Sequence, residues 1–272
     1  MTLPARMLLI GCGNMGGAML AGWLRGGLPA SSFTVVDPYV SAVPDGVRLL
    51  RAIGELDAGE VFEAVLLAIK PQGLAAAAPN IEPVMGPGTV MLSLLAGVEL
   101  ATLADRFPRV GAAVRVMPNL AAALGKSPVA LASEGLSSEQ TAMVDALMAP
   151  LGQGEWIGED RFDLVTALAG SGPAFVYRFI DALGAAATRL GLPAEQAQRL
   201  AKATVDGATA LAMASEHDPA ELARRVASPG GVTEAGLRTL DADERLLALV
   251  TETLRDAATR SAEMSAEARQ GA

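Results

Sequence analysis

Six residues near the start of the chain, Gly11-Cys12-Gly13-Asn14-Met15-Gly16, restrict the fold more than any other stretch. The apolar run Met7 to Ile10 precedes them, and Asn14 to Arg25 follows with Met15, Met19 and Trp23 recurring on one helical face. A strand, a glycine turn and an amphipathic helix in that order open a βαβ unit. Gly11 permits the tight turn, Gly13 lets a pyrophosphate reach the backbone, and Gly16 lets the helix pack on the strand. The helix start then offers unpaired N–H groups to phosphate. The expectation is a dinucleotide site at Gly11, Gly13, Asn14, Met15 and Gly16; the alternative is an ordinary glycine-rich turn.

The same grammar continues to about residue 160. Phe33 to Val36, Ala64 to Ile69, Thr89 to Leu92, Ala112 to Val116 and Val129 to Ala132 are short apolar runs without helical period, suited to parallel strands buried on both faces. Beyond Asp160 no such run recurs. Alanine- and leucine-rich segments predict helices at about 165–190, 194–215, 219–227, 233–240 and 242–268, with a frayed polar tail from Ser265. The expected fold is an α/β, Rossmann-like, doubly wound and mostly parallel sheet (1–160), followed by an all-α substrate-binding and dimerisation domain (161–272). About 110 helical residues alone would leave apolar faces uncovered, which an intertwined homodimer would cover.

Composition narrows the function. Of the 272 residues, 51% are hydrophobic and 19% charged, so disorder is excluded. The net charge of −9 provides no basic footprint for nucleic acid or anionic lipid. One cysteine, Cys12, and one histidine, His217, argue against an internal disulfide, a histidine-based triad or a metal site. Met1 to Arg6 does not read as a signal peptide, and Pro83 to Val98, cut by Gly86-Pro87-Gly88, is too short to span a bilayer. A cytoplasmic location is expected.

Other candidates lie at predicted strand ends, which point into the ligand crevice of an open sheet. Asp37, 21 positions after Gly16, is placed to accept hydrogen bonds from the adenosine ribose, which favours NADH; alternatively it only starts the Asp37-Pro38 turn. A 2′-phosphate would be repelled by it, and no arginine follows until Arg48. Ala68, Lys70 and Pro71 end the next strand, Ala96 lies in the Ser93 to Gly97 exit, and Asn119 follows Met117-Pro118. In the helical half, Ser171 is expected to cap the helix that Pro173 begins. Ser228-Pro229-Gly230-Gly231-Val232-Thr233 precedes another helix, where paired glycines form either an anion-binding concavity or a mobile loop.

Together these segments resemble the pyrroline-5-carboxylate reductases nearly end to end. The resemblance rests on the glycine turn, Lys70-Pro71-Gln72, Arg115-Val116-Met117-Pro118-Asn119, Gly170-Ser171-Gly172-Pro173-Ala174, and the stretch Glu221 to Asp241. It implies reduction of a cyclic imine carboxylate to L-proline by hydride from NADPH or NADH. Ser228, Gly230, Gly231 and Val232 would hold the substrate carboxylate, with Glu216 at the pocket border and Thr233 at the ring nitrogen. It also implies a site shared between the sheet domain of one subunit and helices of its partner. Family habit favours NADPH, against the reading of Asp37. The chain departs from the family pattern at Leu120-Ala121, where Thr-Pro is frequent, at Phe175 for tyrosine, at Lys202 for glutamine, and at Val232 for threonine or alanine. Two other readings stay open: a β-hydroxyacid dehydrogenase using Lys202 as acid/base, and a nucleotide-binding sensor without catalysis.

Overall fold

In the computed structural model, residues 3–270 are described; Met1, Thr2, Gly271 and Ala272 lie outside the described residues, and with them the ends of the Met1–Arg6 segment and of the expected polar tail. The apolar runs become β1 (Met7–Ile10), β2 (Phe33–Val36), β4 (Ala64–Leu67), β5 (Val90–Ser93), β6 (Ala112–Met117) and β7 (Ser127–Ser133). Two further strands, β3 (Arg48–Leu50) and β8 (Gly152–Trp156), complete one sheet of order β3-β2-β1-β4-β5-β6-β7-β8. Neighbours run parallel except β6 and β7. The sequence reading missed β3 and β8 because both are edges: β8 is almost wholly exposed and polar, and only Leu50 of β3 is buried. An edge strand lacks the apolar signature of one covered on both faces.

Helices cover both faces. On one, α1 (Asn14–Arg25) and α4 (Ser138–Met148) pack with Leu9, Phe33 and Leu66; on the other, α2 (Leu74–Ile81) and α3 (Leu100–Arg106) pack with Leu8, Val65 and Leu67. Adjacent residues such as Leu8 and Leu9 thus serve opposite cores, which is why the strands read as continuous apolar runs. Trp23 anchors α1: it is fully buried, stacks on Phe33 at 5.6 Å between centroids, and donates from Nε1 to the Leu147 carbonyl at 2.7 Å.

The chain falls into two units, Met1–Gly170 with Ala257–Ala272, and Ser171–Asp256. The first ends its continuous part with α5 (Phe162–Val165) and a π-helical turn, Thr166–Gly170. The second holds α6 (Gly172–Arg189), α7 (Ala194–Ala214), α8 (Pro219–Val226), α9 (Val232–Asp241) and the first part of α10 (Arg245–Gln270).

Two expectations are corrected. Ser171 makes no side-chain cap: its own φ and ψ of −85° and −20° are helical, whereas a capping side chain needs an extended backbone to fold back on the helix start. Nor does the chain fray at Ser265. This residue is buried within α10, donates from Oγ to the Ser261 carbonyl, and lies where a Cβ on Gly97 would touch its Cα at 3.1 Å, so tertiary packing holds a segment that composition marks as polar. Among the described residues no helix is long and apolar enough to cross a membrane.

Replacing Trp23 by alanine should cost about 4 kcal/mol in denaturant unfolding. A loss below about 1 kcal/mol would show that α1 is held elsewhere.

Candidate functional site

The chain leaves β1 for β2 on one side and later returns to place β4 on the other. The strand order therefore diverges between β1 and β4, and a crevice opens outside their carboxyl ends. The glycine turn occupies this point. Gly11 has φ +92°, and a Cβ there would lie 2.7 Å from the Ala68 carbonyl oxygen; a Cβ on Gly16 would lie 2.6 Å from the Gly11 oxygen and 3.2 Å from the Ala68 Cβ. Both are glycine because backbone and helix pass too close for a side chain. Gly13 differs: it has an ordinary φ of −68°, is exposed, and a Cβ would meet nothing within 4 Å. Packing does not demand glycine at Gly13, so the bare backbone there is open to a ligand. No side chain caps α1 after Gly13, which leaves the N–H groups of exposed Asn14, half-buried Met15 and buried Gly16 facing the turn.

Asp37 sits at the end of β2, buried to 7% exposure, and its carboxylate turns inward. Oδ2 accepts from the Cys12 N–H at 2.7 Å; Oδ1 accepts from Tyr39 and Val40 N–H at 2.8 and 3.0 Å. Burial acts to raise its pKa, but these three donors and the nearby Arg51 charge outweigh it and hold the carboxyl below the ordinary range. Burial pushes the Cys12 thiol up, and the Asp37 charge adds to this. Asp37 thus ties the glycine turn to the β2 exit.

The remaining strand-end residues gather along the same edge. Lys70 is exposed and precedes a tight turn that begins at Pro71, while Ala68 and Ala96 are partly buried. Pro71 and Ala96 line one side of a cavity of about 270 Å³ that Gly97, Arg106 and Met264 help to close. Asn119 is buried and bonded through both amide atoms: Nδ2 donates to the Ala169 carbonyl, and Oδ1 accepts from Ala121 N–H, both at 2.9 Å. Alanine at 121, where the resemblance would place proline, supplies that N–H. Arg115 of the same motif is a strut, 2.8 Å from Glu159 Oε1 and stacked over Phe162 at 4.1 Å.

In the second unit, the Ser228 to Thr233 segment turns through Gly230 at φ +71° into α9. Gly231 N–H donates to the Ser228 carbonyl at 2.9 Å, and Gly230 N–H donates to Glu234 Oε2 at 2.7 Å. The glycine N–H groups are therefore committed within the chain. Those of Val232 and Thr233, at the uncapped start of α9, carry no partner among the described residues. Val232 is fully open and Thr233 half-buried. Glu216 is exposed between α7 and α8, and Lys202 is exposed on α7. Sequence reasoning did not find Glu234, although its position three residues after Gly231 is the reach-back spacing of a capping box. It also passed over Arg51, whose partners are carbonyls brought near only by the β2–β3 pairing.

Gly11→Ala should destabilise by about 3 kcal/mol through positive φ and the Ala68 clash, whereas Gly13→Ala should stay within about 1 kcal/mol; equal losses would contradict this division of roles. For Asp37→Asn a loss of about 2 kcal/mol is expected at pH 7. Because the folded state lowers this pKa, the carboxylate contributes stability above the ordinary carboxyl range and loses it as pH falls through the lowered value. Wild type and mutant should converge in acid, as urea titrations at several pH values would show.

Comparison with known proteins follows the same pattern. Residues 159–264 match a family model described as pyrroline-5-carboxylate reductase dimerisation. Pyrroline-5-carboxylate reductase 2 of Bacillus subtilis is 34% identical over 265 residues, covering 94% of this chain and 93% of the relative. The pyrroline-5-carboxylate reductase of Pseudomonas aeruginosa is 35% identical over 266 residues, covering 96% and 97%. The solved pyrroline-5-carboxylate reductase of Coxiella burnetii superposes with a TM-score of 0.86 at 26% identity, over 96% of this chain and 98% of that one. With the glycine turn at the switch point and similarity running through both units, the chain belongs to the pyrroline-5-carboxylate reductase family.

Proposed function

We propose that this chain reduces 1-pyrroline-5-carboxylate to L-proline with NADH or NADPH. The observation that carries the reading is similarity above 30% identity to reductases of that name across nearly the whole chain. Residues 1–160 would bind the dinucleotide and 161–272 the substrate and a second subunit.

The open backbone at Gly13 fits a dinucleotide: the pyrophosphate would lie on the N–H groups from Gly13 to Gly16, with Ala68, Lys70, Pro71, Ala96 and Asn119 along the rest of the edge. The cofactor supplies the hydride. The protein's task is placement. A protonated imine is already electrophilic, so holding the acceptor carbon in line and excluding water supply most of the advantage. Val232 and Thr233 N–H groups at the start of α9 would take the substrate carboxylate, together with the Gly230 N–H once Glu234 is displaced. The Thr233 hydroxyl would orient the ring nitrogen; its high pKa makes it a poor proton source at neutral pH. Glu216 would border the pocket.

A homodimer through the helical unit belongs to the same reading. Considered alone, that unit exposes Tyr177, Phe179, Leu200, Leu211, Leu247 and Leu249, an apolar surface of the kind a partner covers. A cytoplasmic location goes with it.

The test is turnover of 1-pyrroline-5-carboxylate with each dinucleotide in parallel. Thr233→Ala should lower kcat/KM for the imine roughly 10- to 100-fold, one charge-assisted hydrogen bond, and leave dinucleotide affinity unchanged. Turnover of 3-hydroxy acids alone would favour the dehydrogenase reading, and no turnover of either would overturn the proposal.

A further inference from the structure

We propose that Arg51 receives the 2′-phosphate of the adenosine ribose and so selects NADPH over NADH. The inference rests on the dinucleotide reading of the glycine turn and decides which dinucleotide it is.

A carboxylate at the end of β2 ordinarily accepts the ribose hydroxyls, and so favours the cofactor without a phosphate. Asp37 is not free to do so. Its two oxygens already take three backbone N–H donors, of about four lone-pair positions in all, and they face into the chain. The carboxylate that would repel a phosphate is buried and compensated by those donors and by the Arg51 charge.

Arg51 holds the backbone of the same loop. Nη1 donates to the carbonyls of Asp37, at 3.3 Å, and of Val40; Nη2 donates to that of Ser41 at 3.4 Å. All three acceptors are neutral, and Arg51 makes no side-chain ion pair among the described residues. The one carboxylate on its own segment, Glu55, accepts from its backbone N–H instead. Arg48, the nearer arginine by sequence, is unavailable: it is paired to Glu60 at 3.0 Å and Asp57 at 3.4 Å. One arginine is thus spent on structure, while the other is exposed, bonded to carbonyls of the 37–41 loop, and makes no direct side-chain ion pair among the described residues, its charge acting on Asp37 only through space. A guanidinium has five N–H donors in a planar fork suited to phosphate, and the carbonyls leave part of that fork unused. Tyr39, 92% exposed on the same loop, offers a bare ring face for an adenine.

The experiment compares wild type, Arg51→Ala and Arg51→Lys by calorimetry with adenosine 2′,5′-bisphosphate and AMP, and by kcat/KM with NADPH and NADH. Wild type should bind the bisphosphate at least about 10-fold more tightly than AMP, and should prefer NADPH. Arg51→Ala should erase both preferences, chiefly by losing the phosphorylated ligands, with NADH changed less than about threefold; lysine should restore part of each. The wild-type preference should weaken with added salt. An unchanged ratio in Arg51→Ala, equal losses for both ligands, as a mere loop brace would give, or a wild-type preference for AMP and NADH would overturn the inference. Failure of wild type to bind any of the four would instead overturn the dinucleotide reading.

Discussion

The passage of the Gly11 turn over the end of β4 is the constraint on which the rest of the first unit depends. No Cβ fits between Gly11 and the Ala68 carbonyl, and the Gly16 face of α1 lies against both. This closeness brings the helix start to the switch point of the sheet, and the inward Asp37 carboxylate ties the turn to β2 through the Cys12 N–H. Trp23 and Phe33 then hold α1 in place from the far end. The backbone proposed to cradle phosphate is consequently held by packing on both sides, with its N–H groups oriented by the fold.

A net charge of −9 makes such local devices necessary. Both proposed ligands, a dinucleotide and a small carboxylate, are anions that the chain as a whole repels weakly. Backbone N–H groups at the starts of α1 and α9 act within a few ångströms, where screening by salt is least effective. At the second proposed cradle one of the chain's own carboxylates, Glu234, already accepts from the Gly230 N–H.

Legibility in the sequence followed burial. Strands covered on both faces, such as β1 and β4, and the strongly amphipathic α1 were readable because their apolar pattern reflects a single dominant force. The edges β3 and β8 were not, since their stability comes from pairing to a neighbour and leaves little trace in composition. Ser171 looked like a cap on local grounds, yet the π-helical turn before it sets its backbone, and Ser265 looked like tail until Gly97 was brought beside it. Asn119 was legible only as a strand-end residue; the bond of its amide to the Ala169 carbonyl, fifty residues away in the chain, is visible in the structure alone.

The sequence by itself determined the glycine turn, the strand-then-helix division of the chain and the family, because these depend on local backbone freedom and on the periodicity of apolar residues. Only the tertiary structure decided which polar groups remain available. Asp37 and Arg48 are consumed by partners that folding brings to them, while Arg51 bonds only neutral carbonyls and the Val232 and Thr233 N–H groups opening α9 have no partner among the described residues. The physical reason is that hydrogen bonds and ion pairs are short-range and saturable: a residue's type states what it can bind, and its neighbours in space settle whether it is already bound.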